Sequence, residues 1–163
     1  HRGVLKIGKI DDRIKFITNL TNITPNVKFD IYGINKVQPI WADHYFKTIA
    51  NAKMGLNLSR GAPIKYYSSD RITQIVGNGL VCLIDEKTQY GNFFTNKEMV
   101  FYKNTNDLSE KIIKISSDEK LRKSIAKAGK NKYLKHFNST KIAKFIIEKT
   151  LDIKNNSKYF WER

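Results

Sequence analysis

The sequence has one cysteine, Cys82, and no long uninterrupted apolar run. One thiol cannot form a disulfide within the chain, so a disulfide-stapled secreted scaffold is excluded, and a reducing, cytoplasmic location is expected. Cys82 lies inside the apolar run 80–84, which predicts a buried structural thiol rather than a catalytic one. No segment approaches the roughly 18 apolar residues of a membrane-spanning helix.

The sequence also lacks the common hydrolytic and metal motifs. It contains no GxSxG elbow, no HExxH, no paired cysteines and no Walker loop. Its three histidines are scattered, and we interpret His136 as a cation at a helix end and His44 as a surface residue. The pair Asp11-Asp12 precedes helical periodicity, which favours helix capping over a paired-aspartate metal site. We therefore expect no bound metal and no other cofactor.

Acidic residues are few: 15 Asp and Glu stand against 30 Lys and Arg, giving a net charge of +15. Such a surface can attract nucleic acid, anionic lipid or phosphorylated small molecules, so peripheral membrane association is compatible with it. However, the basic residues are 24 Lys and only 6 Arg. Interfaces that recognise a nucleic-acid sequence favour Arg, so we expect a solvated Lys-rich surface and no specific nucleic-acid partner.

A chain of 163 residues suits one domain with its own core. We assign residues 1–151 to that domain and 152–163 to a C-terminal tail. The short apolar piece 4–7 is too broken to predict a strand, so we expect a fragment whose first strand is incomplete. The tail is polar apart from residues 159–161, three aromatics that predict docking on this domain or on a missing one.

The stretch 68–85 has the clearest pattern of helix, turn and strand in the sequence. Polar residues 68–70 favour a helix start, and Ile72, Ile75 and Val76 fall on one helical face. Gly77-Asn78-Gly79 should end this helix, and the continuous apolar run that follows predicts a strand covered on both faces.

Further strands are predicted at 27–32, 54–58 and 99–102, alternating with helices. Helix starts are predicted at Asp11-Asp12, at His44, at Asp107, at the capping box 116–119 and at 138–140. Strands that alternate with helices indicate an α/β fold with a Rossmann-like parallel sheet flanked by helices.

Phosphate-competent groups gather where the carboxyl ends of the strands are expected. Ligands of open parallel sheets bind at that edge, and free N–H groups at a helix start attract phosphate. The groups concerned are Arg60, Lys65, Ser68, Ser69 and Arg71. The loop 33–42, with Pro39 and Trp41, leaves a predicted strand at the same edge and could hold a base or ribose.

Three runs carry a family resemblance: KMGLNLSRG, YYSSDRITQIVGNGLVCLID and SDEKLRKSIAKAGKNKYLKHF. Together they resemble the C-terminal half of GT-B glycosyltransferases of group 1, especially the CgeB-like bacterial group, over roughly residues 28–151. The resemblance implies a Rossmann-like domain that binds a nucleotide diphosphate sugar without a metal. It also implies an N-terminal GT-B domain as partner, which carries the acceptor site and, commonly, the catalytic base.

The resemblance further assigns residues to the donor. Gln74 stands where the family has an acidic residue that binds the donor ribose, and Tyr66 stands where a second carboxylate is expected. By the resemblance Lys65 and Arg71 face the diphosphate, and residues 67–71 face the same site because they lie at the carboxyl edge of the predicted sheet. The candidate donor-binding residues are therefore Arg60, Lys65, Tyr67, Ser68, Ser69, Asp70, Arg71 and Gln74. Those implied in base binding are Gly33, Asn35, Val37 and Trp41.

Other functions stay open at this stage. One alternative is a sugar-nucleotide epimerase. Another is a non-catalytic nucleotide-sugar-binding relative of the transferases, which the absence of the two carboxylates favours. A basic α/β module that binds nucleic acid is a different class, and it predicts weak binding that falls steeply with salt.

Overall fold

A computed structural model describes residues 12–59, 61–67, 69–154 and 158–162. Within these ranges helices and strands alternate and then give way to three consecutive helices. The helices are α1 (Asp12–Ile23), α2 (Ala42–Asn51), α3 (Asp70–Gly77), α4 (Thr105–Ser117), α5 (Glu119–His136) and α6 (Ser139–Thr150). The strands are β1 (Met54–Asn57), β2 (Val81–Asp85) and β3 (Val100–Tyr102), and two single-turn 3₁₀ helices, Glu86–Thr88 and Tyr90–Asn92, follow β2.

The three strands form a parallel sheet in the order β1-β2-β3. Met54 is paired with Val81, and Leu83 with Val100. Helices cover both faces of the sheet, so the α/β, Rossmann-like class predicted from the sequence is confirmed. Because all three strands run in the same direction, their carboxyl ends meet at one edge.

The central unit α3-turn-β2 has the structure that its sequence predicts. Ile72, Ile75 and Val76 are buried, and the chain reverses through Gly79, whose φ of 78° suits glycine. Strand β2 is buried on both faces, including Cys82. The helix lies very close to the sheet at Gly55, where a Cβ atom would come within 2.5 Å of the Ile75 side chain.

Two apolar clusters fill the space on the two sides of the sheet. One joins α3 to the aromatic segment after β2, and contains Tyr90, Phe94 and Tyr133. The other joins α1, α4 and α5 to the opposite face, around Leu20 and Leu108. The sheet is therefore a middle layer between two helical layers.

The strand predicted at 27–32 is wrong, since this segment has no regular secondary structure and joins no sheet in the described residues. Its alternation is real: Val27 and Phe29 pack against the second cluster, while Lys28 and Asp30 are exposed. Burial on one side produces this pattern without the backbone hydrogen bonds that define a strand. The uncertain first strand at 4–7 lies outside the described residues.

Two helix caps differ from the prediction. Asn104, rather than Asp107, caps α4 by accepting a bond from the Asp107 N–H. Helix α4 runs through Ser117, so Asp118 caps α5 instead of the box that begins at Ser116. The cap predicted for α6 is confirmed, since Asn138 accepts a bond from the Lys141 N–H. In each case the Asx side chain nearest the true boundary supplies the bond.

The aromatic tail docks on this domain. Trp161 stacks on Phe137 with ring centroids 5.5 Å apart, and Phe160 stacks on His136 at 4.1 Å. The Tyr159 hydroxyl donates to Glu148 of α6 at 2.6 Å. The sequence predicts that the tail docks on this domain or on a missing one, and the structure shows the contact with this domain.

Candidate functional site

A polar cluster joins the end of β1 to the start of α3. Asn57 is the last residue of β1, and its buried Oδ1 accepts bonds from the Ser69 hydroxyl (2.9 Å) and from Arg71 Nη1 (3.3 Å). Arg71 Nη1 also donates to the Leu58 carbonyl at 2.7 Å. Two predicted donor-binding residues, Ser69 and Arg71, are thus held together at the carboxyl edge of the sheet.

Ser69 occupies the N-cap position of α3, but its side chain makes no capping bond. The hydroxyl donates to Asn57 instead and accepts no bond from the N–H groups of the first turn, although the Ile72 N–H donates to the Ser69 carbonyl at 3.0 Å. Such groups, with the positive end of the helix dipole, can receive an anion.

A second network surrounds Gln74, which lies one turn along α3. Its Nε2 donates to the Asp70 carboxylate at 2.6 Å, and its Oε1 accepts a short bond from the Tyr45 hydroxyl of α2. Burial, and then the Asp70 charge, raise the pKa of Tyr45, so this hydroxyl remains a donor at neutral pH. Gln74 therefore links α2 to α3, with one carbonyl lone pair still available.

The loop before α3 is anchored to the segment after β2. The Tyr66 N–H donates to the Thr88 carbonyl at 2.9 Å, and the Tyr66 hydroxyl accepts from Asn92 at 2.6 Å. Lys65 lies over the Tyr66 ring, 4.9 Å from its centroid, whereas Tyr67 is 53% exposed. Tyr66 is a packing residue at this position. Arg60 and Ser68, the remaining predicted donor-binding residues, lie outside the described part of the chain.

The predicted base-binding residues lie in one exposed loop before α2. The Gly33 N–H donates to the Val37 carbonyl at 3.1 Å, closing a turn in which Asn35 has a φ of 51°. Trp41 follows at 73% exposure. Tyr45 then connects the helix after this loop to Gln74.

Sequence reasoning missed a cavity of about 220 Å³ at the same edge of the sheet. It lies where the ends of all three strands meet the start of α1, and its walls include Asp12, Arg13, Ser59, Asp85 and Tyr102. Asp85 ends β2 and Tyr102 ends β3. The rule that ligands bind beyond the carboxyl ends of parallel strands, applied to every strand, would have pointed to both residues.

The described residues contain no group of three or more His, Cys, Asp or Glu that could hold a metal ion. None of the helices in the same ranges is long and apolar enough to cross a membrane.

A comparison with models of protein families places the chain in one of them. The model of a family described as glycosyl transferase-like matches residues 13–148. Neither the curated proteins nor the solved structures give a significant match. The matched range runs from α1 to α6 and includes both polar networks, and most of the cavity wall.

Proposed function

Because the chain belongs to the glycosyl transferase-like family, we propose that it is the donor-binding half of a GT-B glycosyltransferase, related to the CgeB-like group. It would bind a nucleotide diphosphate sugar at the carboxyl edge of its sheet. The transfer of the sugar to an acceptor would then require an N-terminal GT-B domain, which supplies the acceptor site.

The observation that carries this proposal is the cluster on Asn57. It places a guanidinium and an uncapped helix start together at the edge where parallel sheets bind nucleotides. Arg71 Nη1 donates to Asn57 and to Leu58. The remaining N–H donors of the planar guanidinium group suit a phosphate.

These groups also suit the chemistry of sugar transfer. When the bond from the sugar to the nucleotide breaks, negative charge develops on the diphosphate leaving group. Arg71, Lys65 and the α3 dipole would stabilise that charge without a metal ion. We assign the nucleotide base to the loop of Gly33, Asn35, Val37 and Trp41, and the ribose to the free lone pair of Gln74.

The test is a calorimetric titration of the chain with UDP, GDP, ADP and dTDP at two salt concentrations. A nucleotide pocket should prefer one base and show modest salt dependence. Equal, weak and salt-sensitive binding of all four would contradict the proposal, because it would show that only the surface charge acts.

Arg71→Ala provides the sharper form of the test. We expect the preferred diphosphate to bind more weakly by about 1.5 to 3 kcal/mol, since a charge-assisted bond is lost. Lys123→Ala is the matched control: it removes the same charge from an exposed position on α5 that pairs with Glu119. The control should change the affinity by less than about 0.5 kcal/mol. Equal losses in the two variants would remove Arg71 from the binding site.

A further inference from the structure

Tyr102 presents an unusual buried hydroxyl. The residue is 1% exposed and packs against Phe16 of α1, with ring centroids 6.1 Å apart. Its Oη has no hydrogen-bond partner among the described residues. A buried hydroxyl without a partner costs free energy, so such a group in a native protein calls for an explanation, and a role in binding is one. Tyr102 is also part of the cavity wall at the edge of the sheet.

The composition of the cavity wall restricts what can bind there. Among the described residues of the wall, the carboxylates of Asp12 and Asp85 outnumber the one guanidinium, that of Arg13, and Ser59 contributes a hydroxyl. Carboxylates accept hydrogen bonds from hydroxyl groups but repel phosphate, so this wall suits an uncharged polyhydroxylated ligand better than an anion. The Asp85 Oδ1 already accepts from the Lys87 N–H at 2.8 Å, which fixes the carboxylate at the end of β2.

The size and the position of the cavity also favour a sugar ring. A volume of about 220 Å³ is below the range of roughly 300 to 1,000 Å³ for sites of whole drug-sized ligands, so the cavity suits a fragment such as one sugar ring. Leu58 lines the cavity, and its carbonyl accepts the bond from Arg71. A diphosphate bound at Arg71 would therefore have its attached sugar next to the cavity.

We propose that this cavity is the subsite for the sugar ring of the donor, and that the Tyr102 hydroxyl bonds to it and helps to select it. The inference rests on the proposed function, because it assigns the sugar of the nucleotide diphosphate sugar. The hydroxyl can donate at neutral pH, since burial, and then the Asp85 charge, raise the pKa of Tyr102.

The experiment compares Tyr102→Phe with the unmodified chain. UDP, GDP, ADP and dTDP are titrated beside UDP-glucose, GDP-mannose, ADP-glucose and dTDP-glucose. For the preferred base, Tyr102→Phe should weaken binding of the sugar conjugate about three- to tenfold and leave that of the diphosphate unchanged. The midpoint of thermal unfolding without ligand should stay equal or rise, because the variant removes an unpartnered buried hydroxyl and keeps the ring.

Tyr133→Phe is the matched control. Tyr133 is also buried, but its hydroxyl is bonded to Thr73 at 2.8 Å, and it is not among the residues lining the cavity. This variant should lower the unfolding midpoint and leave the ratio of conjugate to diphosphate affinity unchanged.

The outcomes separate the two proposals. An unchanged affinity ratio in Tyr102→Phe, with the diphosphate still bound, overturns the sugar subsite alone. A clear fall in its unfolding midpoint also overturns that subsite, because it would show that the hydroxyl has a partner within the protein. Failure of every diphosphate and conjugate to bind the unmodified chain overturns the proposed function and the subsite together.

Discussion

Residues 70–137 and residues 25–51 differ sharply in burial, although both carry periodic apolar residues. The first region supplies β2, β3 and most of the two apolar clusters. In the second region no residue is buried. Periodicity shows which side of a segment is apolar, but burial requires another surface to cover that side. In the second region Val27, Phe29 and Ile49 pack against the clusters but are covered only in part.

Helices α2 and α3 show the difference most directly. Each has an apolar side, but α3 buries Ile72, Ile75 and Val76, whereas α2 leaves Phe46 at 68% exposure. Helix α2 is connected to α3 by the Tyr45–Gln74 bond, next to the loop that we assign to the nucleotide base. We infer that stability resides in the first region, and that the second is available for ligand or partner contacts.

The largest expected effect comes from truncating one apolar side chain in each region. Ile72→Ala should lower the free energy of unfolding by about 3 kcal/mol, because it leaves a cavity in a fully buried site. Phe46→Ala should change it by less than about 0.5 kcal/mol, since the ring is already largely hydrated. Urea denaturation followed by circular dichroism measures both. Similar losses would remove the contrast between the two regions.

A smaller effect is expected at Gly129, where α5 approaches the chain before β3. A Cβ at this position would overlap the Glu98 carbonyl oxygen, a backbone atom that cannot move aside freely. Gly129→Ala should therefore cost about 2 kcal/mol of unfolding free energy. Gly91→Ala is the control, because a Cβ there meets no atom within 4 Å. The same denaturation experiment measures both, and a neutral Gly129→Ala would contradict the close packing of α5.

The smallest effect concerns Glu98, whose carboxylate links the turn before β3 to α5. It accepts two bonds from Thr95 and pairs with Lys132 at 3.2 Å. Burial is the largest single influence and raises the pKa of Glu98, but the bonds from Thr95 and Lys132 together outweigh it and lower this pKa below 4.5. A lowered folded-state pKa adds stability above the unfolded pKa, and this stability is lost as the pH falls through the folded value.

Glu98→Gln should therefore cost about 1 kcal/mol at pH 7, and the cost should shrink as the pH falls below about 4. Glu110→Gln, at an exposed position of α4, is the control and should have little effect at either pH. Urea denaturation at pH 7 and pH 3 gives the comparison. A loss for Glu98→Gln that is independent of pH would show that its charge has no part in it.

The elements predicted correctly are those with local determinants. The apolar spacing in α3, the glycine at its end and the apolar run of β2 are all contained in 70–85, so the sequence shows them together. The segment 27–32 has an equally clear pattern, but a strand also needs a neighbouring strand for its backbone bonds, and no local pattern supplies one.

The site also has one part with local determinants and one part without them. Ser69 and Arg71 were predicted from the start of one helix, and their bonds to Asn57 bring them together. The cavity was missed because its walls come from four distant segments, represented by Asp12, Leu58, Asp85 and Tyr102. Only the folded sheet brings these residues to one place. The hydroxyl of Tyr102 gives no signal in the sequence, because a tyrosine in a strand is usually a packing residue.

The single thiol can serve as a probe of local opening in the sheet. Cys82 is 0% exposed in the central strand, and burial raises its pKa to about 12. An added alkylating reagent can react only after β2 separates from its neighbours, and then the thiol regains an ordinary reactivity. The rate of alkylation of this one atom therefore reports how often the middle of the sheet opens, without any added label.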